Sequence, residues 1–356
     1  MTTPQTQRAH TPKAQVTRGR ELQTAPSWQR ELDVALDAVR QGTALARQIR
    51  QDARATSFLK ADRSPVTVAD FAVQAVIADR LANAFPDDPL VAEEDAASLQ
   101  SPERHATLEA VRDAVHRAVP AFPAGHVLDA IDRGRSVPCA RFWTLDPIDG
   151  TQGFVRGHHY VVALALIVDG RVQIGVIGCP QQLLPDGSPE SGTDQGAVMW
   201  AVRGGGAFGE SLDQRECVRL RVSTCQESRR ARVLRSFEPE HIDVRAFEEI
   251  VRALEVERAP MLMDSQAKHA AIATGHADLL MRIPATRTFR DKIWDQAAGT
   301  LLVEEAGGRV TDLQGGELDF GAGRELTRNE GVIASNDALH NAVLNTVKRV
   351  IASSRH

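Results

Sequence analysis

The stretch Arg141-Phe142-Trp143-Thr144-Leu145-Asp146-Pro147-Ile148-Asp149-Gly150-Thr151 joins an apolar, β-like run to a turn carrying two carboxylates. Pro147 fixes its own φ and restricts its predecessor, which holds Asp146 extended at a strand end. Gly150 permits a tight turn and close backbone approach to a ligand, and Thr151 adds a hydroxyl. Two carboxylates, free carbonyls and a hydroxyl on one rigid turn suit a hard cation such as Mg²⁺ and a bound phosphate. Taken alone, D-x-x-D-G is more often an ordinary Asp-Gly turn. Its partners elsewhere in the chain decide between the two.

A chain of 356 residues, 42% of them hydrophobic, can bury a sizeable core in one large domain or two. The net charge of −5 is spread over mixed acidic and basic residues. No basic block suggests a nucleic-acid duplex as partner, while a small anionic nucleotide stays open. No apolar run reaches membrane-spanning length, and no protein partner is implied. Cys139, Cys179, Cys217 and Cys225 show no C-x-x-C spacing. They form neither a zinc site nor a disulfide framework, and a reducing, cytoplasmic setting fits. Residues 1–26 are polar and free of acids before Glu21. They read as a disordered tail, with an organellar transit peptide as the alternative.

Working outward, helical periodicity runs from Trp28 to about Ala55. Ser64-Pro65-Val66-Thr67-Val68-Ala69-Asp70 is a loop leading into Asp70, the expected N-cap of a helix from Phe71 to Ala84. Leu90-Val91-Ala92 predicts a short strand ending in Glu93-Glu94-Asp95. Residues 101–119 are helical, and 120–140 form an insertion without assigned structure. Tyr160–Val168 and Val172–Ile177 make a hairpin across Asp169-Gly170. Residues 184–196 are an exposed loop, and Val198–Val202 is a strand before the Gly204-Gly205-Gly206 turn. Beyond Val218 short strands alternate with helices as far as a terminal helix over 337–352. Within that part Trp294-Asp295 opens a helix over 296–306, closed by Gly307-Gly308. The expectation is an N-terminal α+β domain with antiparallel pairing over 27–212 and a C-terminal α/β domain over 213–356.

The acids stand at Asp70, Glu93, Asp146 with Asp149, and Asp295. Each alone is a cap or a solvated turn. Each also lies at a strand end or a helix start, where side chains can converge on one cleft.

Glu93-Glu94-Asp95, Asp146–Thr151 and Trp294-Asp295-Gln296-Ala297-Ala298-Gly299 together resemble the lithium-sensitive, Mg²⁺-dependent phosphatases of the inositol monophosphatase superfamily. Within it, four stretches are similar to the 3′(2′),5′-bisphosphate nucleotidases: Ser64–Asp70, Asp149–Gly157, Asp264-Ser265-Gln266-Ala267-Lys268 and Leu318–Arg324. The similarity covers residues 28–352. It implies a layered αβαβα sandwich and a site holding two or three Mg²⁺ ions. It implies direct attack of a metal-activated water on the phosphate, without a phosphoenzyme, and sensitivity to lithium.

Carried over residue by residue, the metal ligands fall on Glu93, Asp146, the Ile148 carbonyl, Asp149 and Asp295. The catalytic pair falls on Asp70 and Thr151. Substrate contacts fall on Gly150, Thr151, His241, Ser265, Lys268, Arg282 and Asp295. The segment Phe237–Asp243 around His241 departs from the family pattern, and the family's Tyr after the matched Lys is His269 here. The implied reaction is hydrolysis of the 3′-phosphate of adenosine 3′,5′-bisphosphate to AMP. Action on the 2′ isomer and on the sulfated 3′-phospho nucleotide stays open. An inositol or other sugar phosphatase of the same superfamily is the alternative enzyme. A catalytically silent metal- or nucleotide-binding protein is the alternative of another class. Lys268 and Arg282 suit a second phosphate, and no acidic station is lost, as a silent protein would predict.

Overall fold

The computed structural model describes residues 28–56, 68–181, 196–212, 217–237, 242–286 and 288–353. The tail, most of the 184–196 loop and His241 lie outside these described residues. The chain opens with α1 (Gln29–Thr56), α2 (Val68–Ala84), β1 (Leu90–Ala92), α3 (His105–Ala118), α4 (Val127–Asp132) and β2 (Arg141–Asp149). It continues through α5 (Thr151–Arg156), β3 (Val161–Val168), β4 (Arg171–Cys179), β5 (Ala197–Val202), β6 (Gly206–Ser211) and β7 (Val218–Arg219). Next come β8 (Val233–Arg235), α6 (Val244–Ala253), β9 (Met261–Leu262), α7 (Ala267–Ala273) and β10 (Leu279–Arg282). The chain closes with α8 (Ala297–Glu305), β11 (Gly308–Thr311), β12 (Val332–Asn336) and α9 (Asp337–Ser353).

Side-chain alternation explains the layers. Along β3, Val162, Leu164 and Leu166 enter a core shared with α1 and α2. Val161, Ala163, Ala165 and Ile167 enter a second core, built with α7 and α8. Successive strand residues point to opposite faces, so a strand covered on both sides must be apolar throughout. The same alternation recurs in β10, where Leu280 joins the second core and Leu279 and Met281 join a third with α6 and α9. The order is therefore α1/α2, a seven-stranded sheet, α7/α8, a five-stranded sheet, and α6/α9. This is the expected αβαβα sandwich. Among the described residues no helix is long and apolar enough to cross a membrane.

The first sheet runs β1 to β7 in sequence order. Its pairing is antiparallel except that β1 lies parallel to β2, with Ala92 opposite Leu145. A parallel pair needs a long crossover, which α3 and α4 supply from within the 101–140 segment. α3 lies within the stretch expected to be helical, whereas α4 forms within 120–140, where the sequence suggested no structure, and its Val127 and Ile131 are buried in the first core. The second sheet has the order β11-β12-β10-β8-β9, with β8 parallel to both neighbours and β12 antiparallel to both of its own. The proposed division near residue 212 falls between β6 and β7, two strands that pair with each other.

Two helix starts differ from expectation. α2 begins at Val68, so Asp70 sits in its first turn instead of capping it. Burial of Ala69 carries the helix back past Asp70. Asp295 closes a 3₁₀ turn, Ile293–Asp295, and α8 starts only after Gln296.

α8 can approach the first sheet because β4 presents Gly175 to it. A Cβ there would come 2.7 Å from the Ala298 carbonyl oxygen. Gly175→Val should therefore push α8 off the sheet and cost about 1–3 kcal/mol. Gly125→Ala, with no atom within 4 Å of the added carbon, should stay within about 0.5 kcal/mol of the parent. Urea unfolding of both variants measures the difference.

Candidate active site

Asp146 and Asp149 lie three apart on β2, and in a regular strand such residues face opposite sides. The pairing with β3 removes this conflict. Asp146 is opposite Ala163 and Asp149 is opposite Val161, so β2 carries one extra residue at Pro147-Ile148. Such a bulge re-aims the side chains beyond it, and Pro is tolerated there. Both carboxylates then line one cleft of about 240 Å³. The parallel register of β1 brings its end beside Leu145-Asp146, and Glu93 follows directly after β1.

Three other contacts fix the acidic wall. Gln74 of α2 donates from Nε2 to the Glu94 and Ile131 carbonyls, both at 2.8 Å, and accepts from the Glu94 amide at 3.0 Å. It ties the Glu93-Glu94 backbone to the helix that carries Asp70. Thr151 Oγ1 is 3.1 Å from the Ile148 carbonyl and 3.4 Å from Asp70 Oδ1. Arg324 spans the wall, with its guanidinium 4.8 Å from the Trp294 ring centre and donating to the Ala92, Gly134 and Ser136 carbonyls.

The opposite wall comes from the second sheet and α7. Ser265 adopts φ +63°, a left-handed conformation that costs a non-glycine residue about 1–3 kcal/mol. It faces Gly150, whose φ is +90° and whose missing Cβ would lie 3.0 Å from the Ser265 Cβ. Gln266 joins the walls. Its amide donates to Asp149 Oδ2 at 2.6 Å, its Nε2 donates to the Trp294 carbonyl at 2.9 Å, and its Oε1 accepts from the Gly299 amide at 2.9 Å. Lys268 donates to Ser236 Oγ at 2.6 Å. Arg282 Nε is 2.5 Å from Asp291 Oδ1.

Electrostatics mark this cleft off from the rest of the molecule. Glu93 keeps access to water, yet protein surrounds it, and this burial with the charges of Asp295, Glu94, Asp70 and Asp149 holds its pKa well above the usual range. Asp146 is raised by burial and then by Glu93, Asp149 and Asp295, and its Oδ1 has no hydrogen-bond partner among the described residues. Burial raises Asp149 against the pull of Gln266, Lys268 and Arg282. It raises Asp295 to about 7 despite Arg282. On the facing wall, burial and then Arg282 bring Lys268 down to about 8. Burial, Lys268 and Arg282 bring His269 down to about 3, so its imidazole is neutral. Among the described residues no three His, Cys, Asp or Glu side chains close into a finished metal cage. The acids instead line a cleft in which each is within electrostatic reach of the others.

The structure thus brings Glu93, Asp146, Ile148, Asp149 and Asp295 to the same lining as Gly150, Thr151, Ser265, Lys268 and Arg282. Asp70 reaches it through Thr151. Gln74 and Asp291 belong to no motif in the sequence, and Gln266 and Arg324 stand in matching stretches without an assigned role. Gln74 did leave a signal, as the one polar side chain in the run Phe71-Ala72-Val73-Gln74-Ala75-Val76-Ile77. Asp291 left none, since acids are common along the chain.

Comparison with known proteins places this geometry. The profile of the inositol monophosphatase family matches residues 28–352. A 3′(2′),5′-bisphosphate nucleotidase of Schizosaccharomyces pombe is 38% identical over 347 residues, 93% of this chain and 98% of that protein. A rice protein of the same name is 37% identical over 338 residues, 90% of this chain and 94% of its own length. Among solved structures, a Thermotoga maritima IMPase superposes with a TM-score of 0.61 at 22% identity, covering 91% of this chain and 98% of that one.

Replacing Gln266 by Leu, of similar size, should leave the Trp294 carbonyl and the Gly299 amide buried without partners. Each such loss costs about 1–3 kcal/mol, so denaturant unfolding should show a drop of about 2–5 kcal/mol. A change below about 0.5 kcal/mol would mean that the two walls are held elsewhere.

Proposed function

The chain belongs to the inositol monophosphatase family, and we propose that within it the protein is a Mg²⁺-dependent bisphosphate nucleotidase. Its reaction converts adenosine 3′,5′-bisphosphate to AMP and phosphate. The observation that carries this is one cleft with two opposed walls, mutually repelling carboxylates on one and buried Lys268 with half-buried Arg282 on the other. The first suits hard cations and the second suits an anion beyond the one being cleaved. The nucleotidases named above, similar over most of the chain, support the same substrate.

The donor set is all oxygen, and the orphaned Asp146 Oδ1 fits a cation. Glu93, Asp146, Asp149, Asp295 and the Ile148 carbonyl would hold two or three Mg²⁺ ions. When bound, Mg²⁺ neutralises phosphate charge and makes water more acidic. The Thr151 hydroxyl takes the proton of the attacking water and passes its own to Asp70, which is the general base. As the new P–O bond forms, the bond to the ribose 3′-oxygen breaks and that oxygen leaves to be protonated. Gly150 and Thr151 offer backbone amides to the phosphoryl group, and Ser265 joins them from the facing wall. Lys268 and Arg282 hold the 5′-phosphate. Cys179 takes no part, because burial and then Asp149 keep its thiol protonated. The four cysteines are unpaired, which supports a cytoplasmic setting.

Chelation should abolish phosphate release and Mg²⁺ should restore it. Asp146→Asn should remove turnover without altering the circular dichroism, and a variant still active would refute the ligand assignment. Phosphate release should be compared for adenosine 3′,5′-bisphosphate and inositol 1-phosphate. Lys268→Ala or Arg282→Ala should lower kcat/KM for the bisphosphate by roughly tenfold to a hundredfold, and leave the inositol ester nearly unchanged. A fixed ratio in both variants would return the protein to a phosphatase of unspecified substrate within the family.

A further inference from the structure

Arg282 ends β10 and is held from two directions. Its Nε stands 2.5 Å from Asp291 Oδ1, and its Cζ lies 5.5 Å from the centre of the Phe289 ring. Asp291 is itself immobilised. It is 3% exposed, the same oxygen accepts from Gln296 Nε2 at 3.2 Å, and its carbonyl accepts from the Leu326 amide at 2.9 Å. A guanidinium is a planar fork with five N–H donors. The approach at Nε is an ion pair without an aligned hydrogen bond, and together with the Phe289 ring it holds the guanidinium in place by charge and packing. The Nη groups are the bidentate edge for a phosphate.

Arginine on a free tether loses side-chain entropy when it binds. A side chain already fixed between a carboxylate and a ring avoids much of that loss. We propose that Asp291, backed by Phe289, is a positioning residue that aims Arg282 at the phosphate that is not cleaved. Asp291 thereby sets the preference for bisphosphates over monophosphates. This rests on the Arg282 contact proposed above.

Two other roles are physically possible for Asp291, and each predicts a different result. As an anchor for the start of α8 through Gln296, next to Asp295, it would affect every substrate equally. As a plain counter-charge it would weaken anion binding, so its removal would tighten the bisphosphate.

The test uses adenosine 3′,5′-bisphosphate against adenosine 3′-monophosphate, which has the same cleaved ester and base but lacks the second phosphate. Asp291→Asn should raise KM for the bisphosphate about tenfold, equivalent to about 1.4 kcal/mol. It should leave kcat and the monophosphate constants within about twofold. Asp291→Glu should recover part of the loss. In an Arg282→Ala background Asp291→Asn should add nothing to the substrate ratio, since the two residues act as one unit. Equal losses on both substrates, or a lower KM for the bisphosphate, would overturn the proposal. If Arg282→Ala alone leaves the ratio unchanged, the substrate contact itself is wrong and the role of Asp291 falls with it. If Arg282→Ala collapses the ratio and Asp291→Asn does not, only the positioning role is wrong. Should Asp291→Asn fold poorly in a thermal melt, Phe289→Leu provides the same comparison and should also raise KM for the bisphosphate alone.

Discussion

Gln266 is the joint on which the cleft depends. One residue of α7's approach touches Asp149 on the first sheet, Trp294 before Asp295, and Gly299 on α8. Its backbone and both ends of its side-chain amide are used, and it is 1% exposed. A buried amide that lost any of these partners would carry a desolvation cost with no return, so the arrangement tolerates one geometry. That geometry sets the spacing between carboxylates drawn from opposite parts of the chain.

Around this joint the protein stores electrostatic tension. Burial raises Glu93, Asp146, Asp149 and Asp295 and lowers Lys268, each for the same reason: charge is disfavoured where water is scarce. Perturbed groups gathered in one cleft, next to the strained Ser265 backbone, are the usual mark of a functional site. The layers pay for it. β3, buried on both faces, and the close approach of α8 over Gly175 give the site rigid walls.

Much of the architecture could be read from the chain before folding. Tyr160–Val168 is apolar because both faces are covered, and its hairpin across Asp169-Gly170 formed as expected. Helix boundaries were less legible. α2 starts ahead of Asp70 because burial of Ala69 overrides the capping preference of the acid. The crossover helix α4 was hidden, since Pro and Gly around it resemble a loop and its apolar stripe of Val127, Ala130 and Ile131 is a single turn long. The parallel pairing of β1 with β2 could not be inferred, because a strand of three residues says nothing about direction.

For the site, local sequence displayed the acids at strand ends and helix starts and the Pro-Ile-Asp-Gly turn, while Ser265, Lys268 and Arg282 came from the resemblance to the bisphosphate nucleotidases. These are matters of chemistry and spacing that a linear chain displays. Convergence is another matter. Asp146 and Asp149 share a cleft only because a bulge, visible in the register with Ala163 and Val161, reverses the alternation of an ordinary strand. Gln74, Asp291 and Arg324 matter only through partners elsewhere in the chain: Glu94 and Ile131 for the first, Arg282 and Gln296 for the second, and carbonyls up to 232 residues away for the third. Amino-acid type determined which groups could bind a cation or a phosphate. Only tertiary packing decided which of them meet, because distance through space, burial and mutual charge are properties of the folded chain.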